Sequence, residues 1–303
     1  MNCRWIAWMF AALVLQGCAS VSTERAKDLS SAGIAYAEAV SGVVDVAIDA
    51  AIDNDSLAQI VAAPRPPVSD EVQARRATQL EVLDVGLVRT VQLYTQLQQS
   101  LGVTRAYFVA LQALAGGSQA EATGDAVQGL AERVNGVSRV LETSSTKPLI
   151  SDAQVQALGG LARVVAAQVH GAKVAAALQR DAPVIGRALV LQESVLRIAA
   201  SDIGSYMTTV NDQLFLTRVQ GPYQKGQYGA AWADDRATYL KVRALGSRSE
   251  QVDAAARASR EMQAVWRRIL AGTSSPAEIA ASLEEVNQLL EAVAALKAAN
   301  AAD

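Results

Sequence analysis

The sequence predicts an all-α fold, an elongated bundle of about six or seven long antiparallel helices, and three observations predict it. Leu83, Leu87, Thr90, Tyr94, Leu97, Leu101, Thr104, Phe108 and Leu111 alternate steps of four and three, the spacing that keeps one helix face against a partner. Full capping boxes, Ser118-x-x-Glu121, Ser151-x-x-Gln154 and Ser275-Pro276-Ala277-Glu278, open three further apolar-periodic runs. Composition agrees: 51% of residues are hydrophobic but only 5% aromatic. Such a core of Ala, Leu and Val suits closely packed helices, and no alternating β-branched run with a hairpin turn competes with them.

In chain order, Arg4 is followed by Trp5 to Leu15, a stretch without charged or polar side chains that ends in Leu15-Gln16-Gly17-Cys18. It has the length of a signal-peptide core and is too short for a permanent span. The segment resembles the signal of bacterial lipoproteins, in which Leu, a tolerant position, a small residue and Cys form the lipobox. That resemblance implies cleavage before Cys18 and acylation of its sulfur and new amino group. Ala19 and Ser20 follow, with no aspartate after the cysteine, and by the same resemblance to Gram-negative lipoproteins this favours the outer membrane, facing the periplasm. The chain then divides into a signal peptide (1–17), a lipidated cysteine with a small polar tether (18–30) and a helical domain (31–303). Cys3 lies within the signal, so no thiol pair remains for a disulfide. The most apolar later window, Leu158 to Leu178, is interrupted by Arg163, Gln168, His170 and Lys173, and no second span is expected.

Ile34, Val40, Val44, Ile48 and Ile52 mark a first helix that Pro64-Arg65-Pro66-Pro67 must stop near Ala63. The second helix is expected from Asp70, with Gln73 as its capping partner, to Ala115, with Gly116-Gly117 as its stop. At 1.5 Å per residue it would be roughly 69 Å long, and a seam so regular needs a partner helix, from this chain or from another copy. Leu130, Val134, Val137 and Leu141 follow the Ser118 box; Leu158, Leu161 and Val165 follow the Ser151 box. Pro183 marks a kink or boundary. Beyond it the stripe Val184, Ala188, Leu191, Val195 and Ile198 runs into Asp202, Ser205, Thr209 and Asp212, while Ile203, Tyr206, Val210 and Leu214 take over as the apolar face. After Gly221-Pro222 a loop is expected, then a helix through Tyr239, Val252, Ala255, Met262, Trp266 and Ile269 with a break near Gly246, and a last helix through Ile279, Leu283, Val286, Leu290 and Val293.

Charge excludes one class of partner. With 27 basic and 30 acidic residues the chain has a net charge of -3, without the basic surface that binds nucleic acid. His170 is the sole histidine and has neither a catalytic thiol nor a Glu-x-x-His pairing, so it reads as an ordinary helix residue. Asp45, Asp49 and Asp53 stack on one helix face with Asp55 beyond, but they lack the glycine turn of a calcium loop and read as a solvated acidic face. No catalytic residue, metal set or cofactor site is marked. The exceptional stretch is Gln220 to Trp232, Gly-rich and expected to be helix-free, which presents Tyr223, Tyr228 and Trp232 as candidate recognition anchors or, alternatively, as plugs of the bundle end. The expectation is a non-enzymatic structural or interaction lipoprotein, attached through Cys18 and meeting an envelope protein. A helical carrier of a small apolar or lipid ligand is the second reading, and a carboxylate-dependent hydrolase the third.

Overall fold

The structure is a computed structural model that describes residues 23–62, 69–117, 121–141, 170–227, 229–244, 246–272 and 274–302. Among these residues every regular element is helical: α1 (Thr23–Ala62), α2 (Asp70–Ala115), α3 (Glu121–Leu141), α4 (His170–Leu214), a π-helix (Phe215–Gln220), α5 (Gly221–Gln224), α6 (Ala230–Ala244), α7 (Gly246–Ala271) and α8 (Pro276–Ala302). The chain is an all-α bundle.

Side-chain rungs fix how the helices run. Gln112 Nε2 donates to Ser31 Oγ at 3.1 Å, Arg105 Nε to Glu38 Oε1 at 2.6 Å and Gln98 Nε2 to Asp45 Oδ1 at 2.7 Å. Each rung stands one heptad from the last on both helices, so α1 and α2 are antiparallel in coiled-coil register. Between the rungs Gly33 lets the Phe108 ring come down on the α1 backbone: a Cβ there would lie 2.3 to 2.5 Å from three ring atoms. Arg133 Nη1 donates to Gln99 Oε1 at 2.8 Å and turns α3 back along α2. On the other side of the core α7 returns along α4, with Ser249 Oγ donating to the Ala200 carbonyl at 2.9 Å and Gln263 Nε2 to that of Leu189 at 3.1 Å. The last helix, α8, lies back along α7, where Gln251 Nε2 reaches the Val293 carbonyl at 3.3 Å.

The core these helices enclose is continuous, from Ala26 and Leu29 on α1 through Leu97, Leu101 and Leu111 on α2 to Val195 on α4 and Val265 on α7. At its centre four helices meet through buried polar side chains. The Tyr36 hydroxyl donates to Gln192 Oε1 at 2.8 Å and lies 2.7 Å from Ser259 Oγ. Gln192 Nε2 in turn donates to Thr104 Oγ1 at 3.0 Å and Ser100 Oγ at 3.3 Å. One residue each from α1, α4 and α7 and two from α2 are thereby tied at a single level.

Several sequence expectations are met and others are corrected. The second helix has the bounds expected, and Gly117 with φ 110 ends it, a left-handed conformation that favours glycine. Its N-cap is Ser69, whose carbonyl accepts from Gln73 N–H at 3.0 Å, so Asp70 is already the first helical residue. The Ser275 box forms as read: Ser275 N–H donates to Glu278 Oε2 at 2.7 Å, and Glu278 N–H to Ser275 Oγ at 3.3 Å. Residues 23–30, expected to belong to a tether, are the first two turns of α1, because Ala26, Leu29 and Ser30 are buried in the core. Pro183 is neither an end nor a boundary of α4; it sits with Gln179 on the exposed side, where water can serve the carbonyl the ring leaves free. The Thr23–Gln59 stretch is long and apolar enough, by length and composition, to cross a membrane, yet 44% of its most apolar window is buried. Its apolar side faces the helical core. Pro64 to Pro67 and the helix expected after Ser151 lie outside the described residues.

The contact at Gly33 gives a paired test. Gly33→Ala should cost about 2 kcal/mol, because the Phe108 ring cannot yield without overpacking its neighbours. Gly186→Ala, where nothing stands within 4 Å of a new Cβ, should be neutral or stabilise by up to ~1 kcal/mol through helix propensity. Denaturant unfolding of the two variants measures the difference; equal midpoints would mean that the α1–α2 approach is looser than described.

Candidate functional site

The aromatic stretch forms the turn of a second helical hairpin, made of α4 with the π-helix on one side and α6 with α7 on the other. Its local structure follows from two residues. Pro222 has no N–H to give to the Arg218 carbonyl, so the α-helical ladder cannot pass through it unchanged. Gly221 instead donates to the Leu216 carbonyl, five residues back, and the ladder widens into a π turn. A Cβ on Gly221 would stand 3.1 Å from that same carbonyl oxygen, tight enough to favour glycine. The chain then makes the short turn of α5, reverses at Gly226 with φ 69 and closes with Gln227 N–H donating to the Pro222 carbonyl at 2.8 Å.

Two ring contacts hold the returning strand of the hairpin. Trp232 Nε1 donates to the Val219 carbonyl at 2.9 Å, and the Tyr223 and Trp232 rings stack with centroids 5.7 Å apart and planes 27° from parallel. Phe215 and Tyr239 meet further along, at 5.1 Å. The stretch is therefore not helix-free as expected: Tyr223 belongs to α5 and Trp232 to the first turn of α6. Trp232 is half-buried and clamps the turn, whereas Tyr223 is 61% exposed. Tyr228 lies outside the described residues, as does Cys18.

Other sequence candidates are dispersed. Asp45 accepts from Gln98, and Asp53 pairs with Arg248 Nη1 at 3.0 Å on another helix, leaving Asp49 exposed between them. No group of three or more His, Cys, Asp or Glu poised for a metal occurs among the described residues. His170 is the first residue of α4; its side chain lies outside the description. An open groove of about 420 Å³ lies between α7 and α8, lined by Arg257, Arg260, Glu261, Glu285, Gln288 and Leu289.

The sequence reading missed a buried ion pair. Arg180 and Asp181, neighbours on α4, have side chains 5% and 0% exposed; the guanidinium holds the carboxylate through Nε to Oδ1 and through Nη2 to Oδ2 at 2.8 Å. The carboxylate faces the Tyr107 hydroxyl, and Tyr107 stands edge-on to Phe108 and Trp266 with centroids 5.4 and 6.2 Å away. Burial pushes the Asp181 carboxyl up to about 6, against the opposing pull of Arg180 and Tyr107. Burial also raises the Tyr107 hydroxyl well above its ordinary value. A signal for this cluster was present: two adjacent charges inside an otherwise apolar-periodic run.

No family model, no curated protein and no solved structure matches this chain. The geometry is accordingly the ground on which function is argued.

Asp181 makes stability depend on pH with a defined sign. Its folded-state pKa of about 6 lies above the ordinary 3.8, so the folded chain binds this proton more readily than the unfolded chain does. Stability should rise as pH falls from about 7 toward 4, by an amount on the order of 3 kcal/mol for this group. Asp181→Asn removes the titration, although it also leaves Arg180 without its anion; the slope of stability against pH is therefore the readout. An unchanged slope between pH 7.5 and 4.5 would assign the titration elsewhere.

Proposed function

We propose that the protein is a non-enzymatic lipoprotein, held in the outer membrane by acylated Cys18 and facing the periplasm, that binds an envelope protein through the turn carrying Tyr223 and Trp232. The observation that carries the reading is the separation of the chain's two distinctive ends. Helix α1 begins shortly after Cys18, and Tyr36 on α1 stands level with Gln192 on the parallel helix α4. Counting back from Tyr36 to Thr23 and onward from Gln192 to Tyr223 separates the two ends by roughly 65 Å of helix. An anchored chain would thus present its aromatic turn far from its own bilayer, on a helical hairpin stiff enough to keep it there. Tyr223 supplies a large apolar surface with a polar tip, and its stacking on the clamped Trp232 limits the entropy lost when it is covered.

Two measurements test the parts separately. Intact-mass analysis of the membrane-extracted protein should give a chain beginning at Cys18 and carrying acyl chains; an uncleaved or non-acylated chain would remove the anchor from the proposal. A photo-crosslinker at position 223 in cells should capture one identifiable envelope protein. Tyr223→Ala should then weaken binding of that purified partner tenfold or more, as for an interface anchor, while leaving the melting temperature nearly unchanged because the ring is exposed. Full binding by the variant would overturn the assignment of the turn.

A further inference from the structure

Five large aliphatic side chains within nine residues of α2 face solvent: Leu80, Val82, Leu83, Val85 and Val88, from 36% to 68% exposed. Valine loses rotamer freedom in a helix, so it is a poor choice there unless packing repays it. An apolar patch of this density on a helix surface marks an interface. Charges on the same stretch are also left over. Arg75, Arg76, Glu81, Asp84 and Arg89 take part in none of the ion pairs among the described residues.

We propose that this half of α2 docks on the same half of a second copy of the chain, antiparallel, with Leu80 on the two-fold axis and Arg76 of each copy opposite Asp84 of the other. Gln73, Ala77, Leu80, Asp84 and Val88 are all exposed and are spaced by three and four residues, which puts them on one face. A parallel in-register pairing of that face would set Asp84 against Asp84 at its centre, a repulsion with no compensation. The antiparallel pairing brings residues equally far from Leu80 opposite each other: Arg76 meets Asp84 twice by symmetry, and Val88 meets Val72. Val85 lies at the rim of the contact, and Val82 lies off it. The contact is about 20 residues, or ~30 Å, long, at the small end of specific interfaces, and gives a reversible dimer. It depends on neither the anchor nor the aromatic turn.

Engineered cysteines in the full chain test it, because beyond the signal the sequence holds no cysteine but Cys18. Under mild oxidation in cells, Leu80→Cys should give a disulfide-linked dimer on non-reducing gels, since a residue on a two-fold axis meets itself. Val82→Cys should not. Adding Asp84→Arg to Leu80→Cys should lower the dimer fraction about tenfold, and adding Arg76→Asp as well should restore it, because the two charges have exchanged places. The parent chain is the control for Cys18: a parent that cross-links would show a free thiol there, a failure of the lipidation reading and not of this one. Monomer only from Leu80→Cys, equal cross-linking at position 82, no response to the charge exchange, or a disulfide to a different protein would each overturn the antiparallel dimer.

Discussion

The bundle depends on the buried hydrogen-bond chain through Tyr36, Gln192, Ser100, Thr104 and Ser259. A core rich in Ala, Val and Leu offers many nearly equivalent ways for long helices to slide past one another, since apolar contact is non-directional. Gln192 removes that freedom. Its carbonyl oxygen accepts from Tyr36 and its amide donates to Ser100 and Thr104, so a slip of one helical turn on α1 or α2 would strand a buried amide or hydroxyl. Each stranded group costs about 1–3 kcal/mol, a large part of the net stability of a domain. The heptad rungs from Ser31 to Asp45 are exposed and individually weak, and they agree with the register that the buried chain selects. Burial also holds the Tyr36 hydroxyl protonated far above its ordinary range, so this donor does not titrate under any condition in which the fold persists.

Away from that level the two hairpins diverge in character. Toward Thr23 the core closes on large rings, with Tyr107, Phe108 and Trp266 set edge to face around a carboxylate that has been taken out of water. Keeping Asp181 there costs stability near neutral pH, partly offset by a guanidinium that cannot move away because it belongs to the adjacent residue. Toward the opposite end aromatic density moves to the surface of the second hairpin, and the first hairpin leaves much of its α2 aliphatic surface uncovered.

Much of the fold was legible because helix periodicity and capping are local. The bounds of α2, the Ser275 box and the handover from Ile198, 43% exposed, to buried Ile203 and Leu214 all follow from spacing alone. What was illegible depended on long-range pairing. The heptad seam looks uniform from Leu83 to Leu111, yet it is buried from Tyr94 onward while Leu83 remains 36% exposed, because burial is decided by where the neighbouring helices run. Residues 23–30 read as a polar tether because Ser and charged residues outnumber the Ala26 and Leu29 that actually face the core. The candidate turn was half legible: its composition singled out Tyr223 and Trp232, but the division of labour between a clamped indole and a presented phenol comes from one carbonyl, that of Val219, made reachable by the π turn. No composition count carries that information, and none of the residues of the Asp181 cluster is rare enough to stand out singly.

The π-helix between Leu214 and Gly221 also bears on how such a molecule could change over generations. A π turn is an α-helix carrying one residue more than it needs, so it holds a reserve of phase. Losing any one residue from Phe215 to Gln220 would let the segment relax to ordinary α geometry, with the preceding bundle undisturbed, and would rotate everything beyond it by roughly 100° about the helix axis. Tyr223 would then point along a new azimuth while α1 to α4 kept their packing. Single-residue deletions, normally ruinous inside a long helix, become at this spot a way to re-aim a surface.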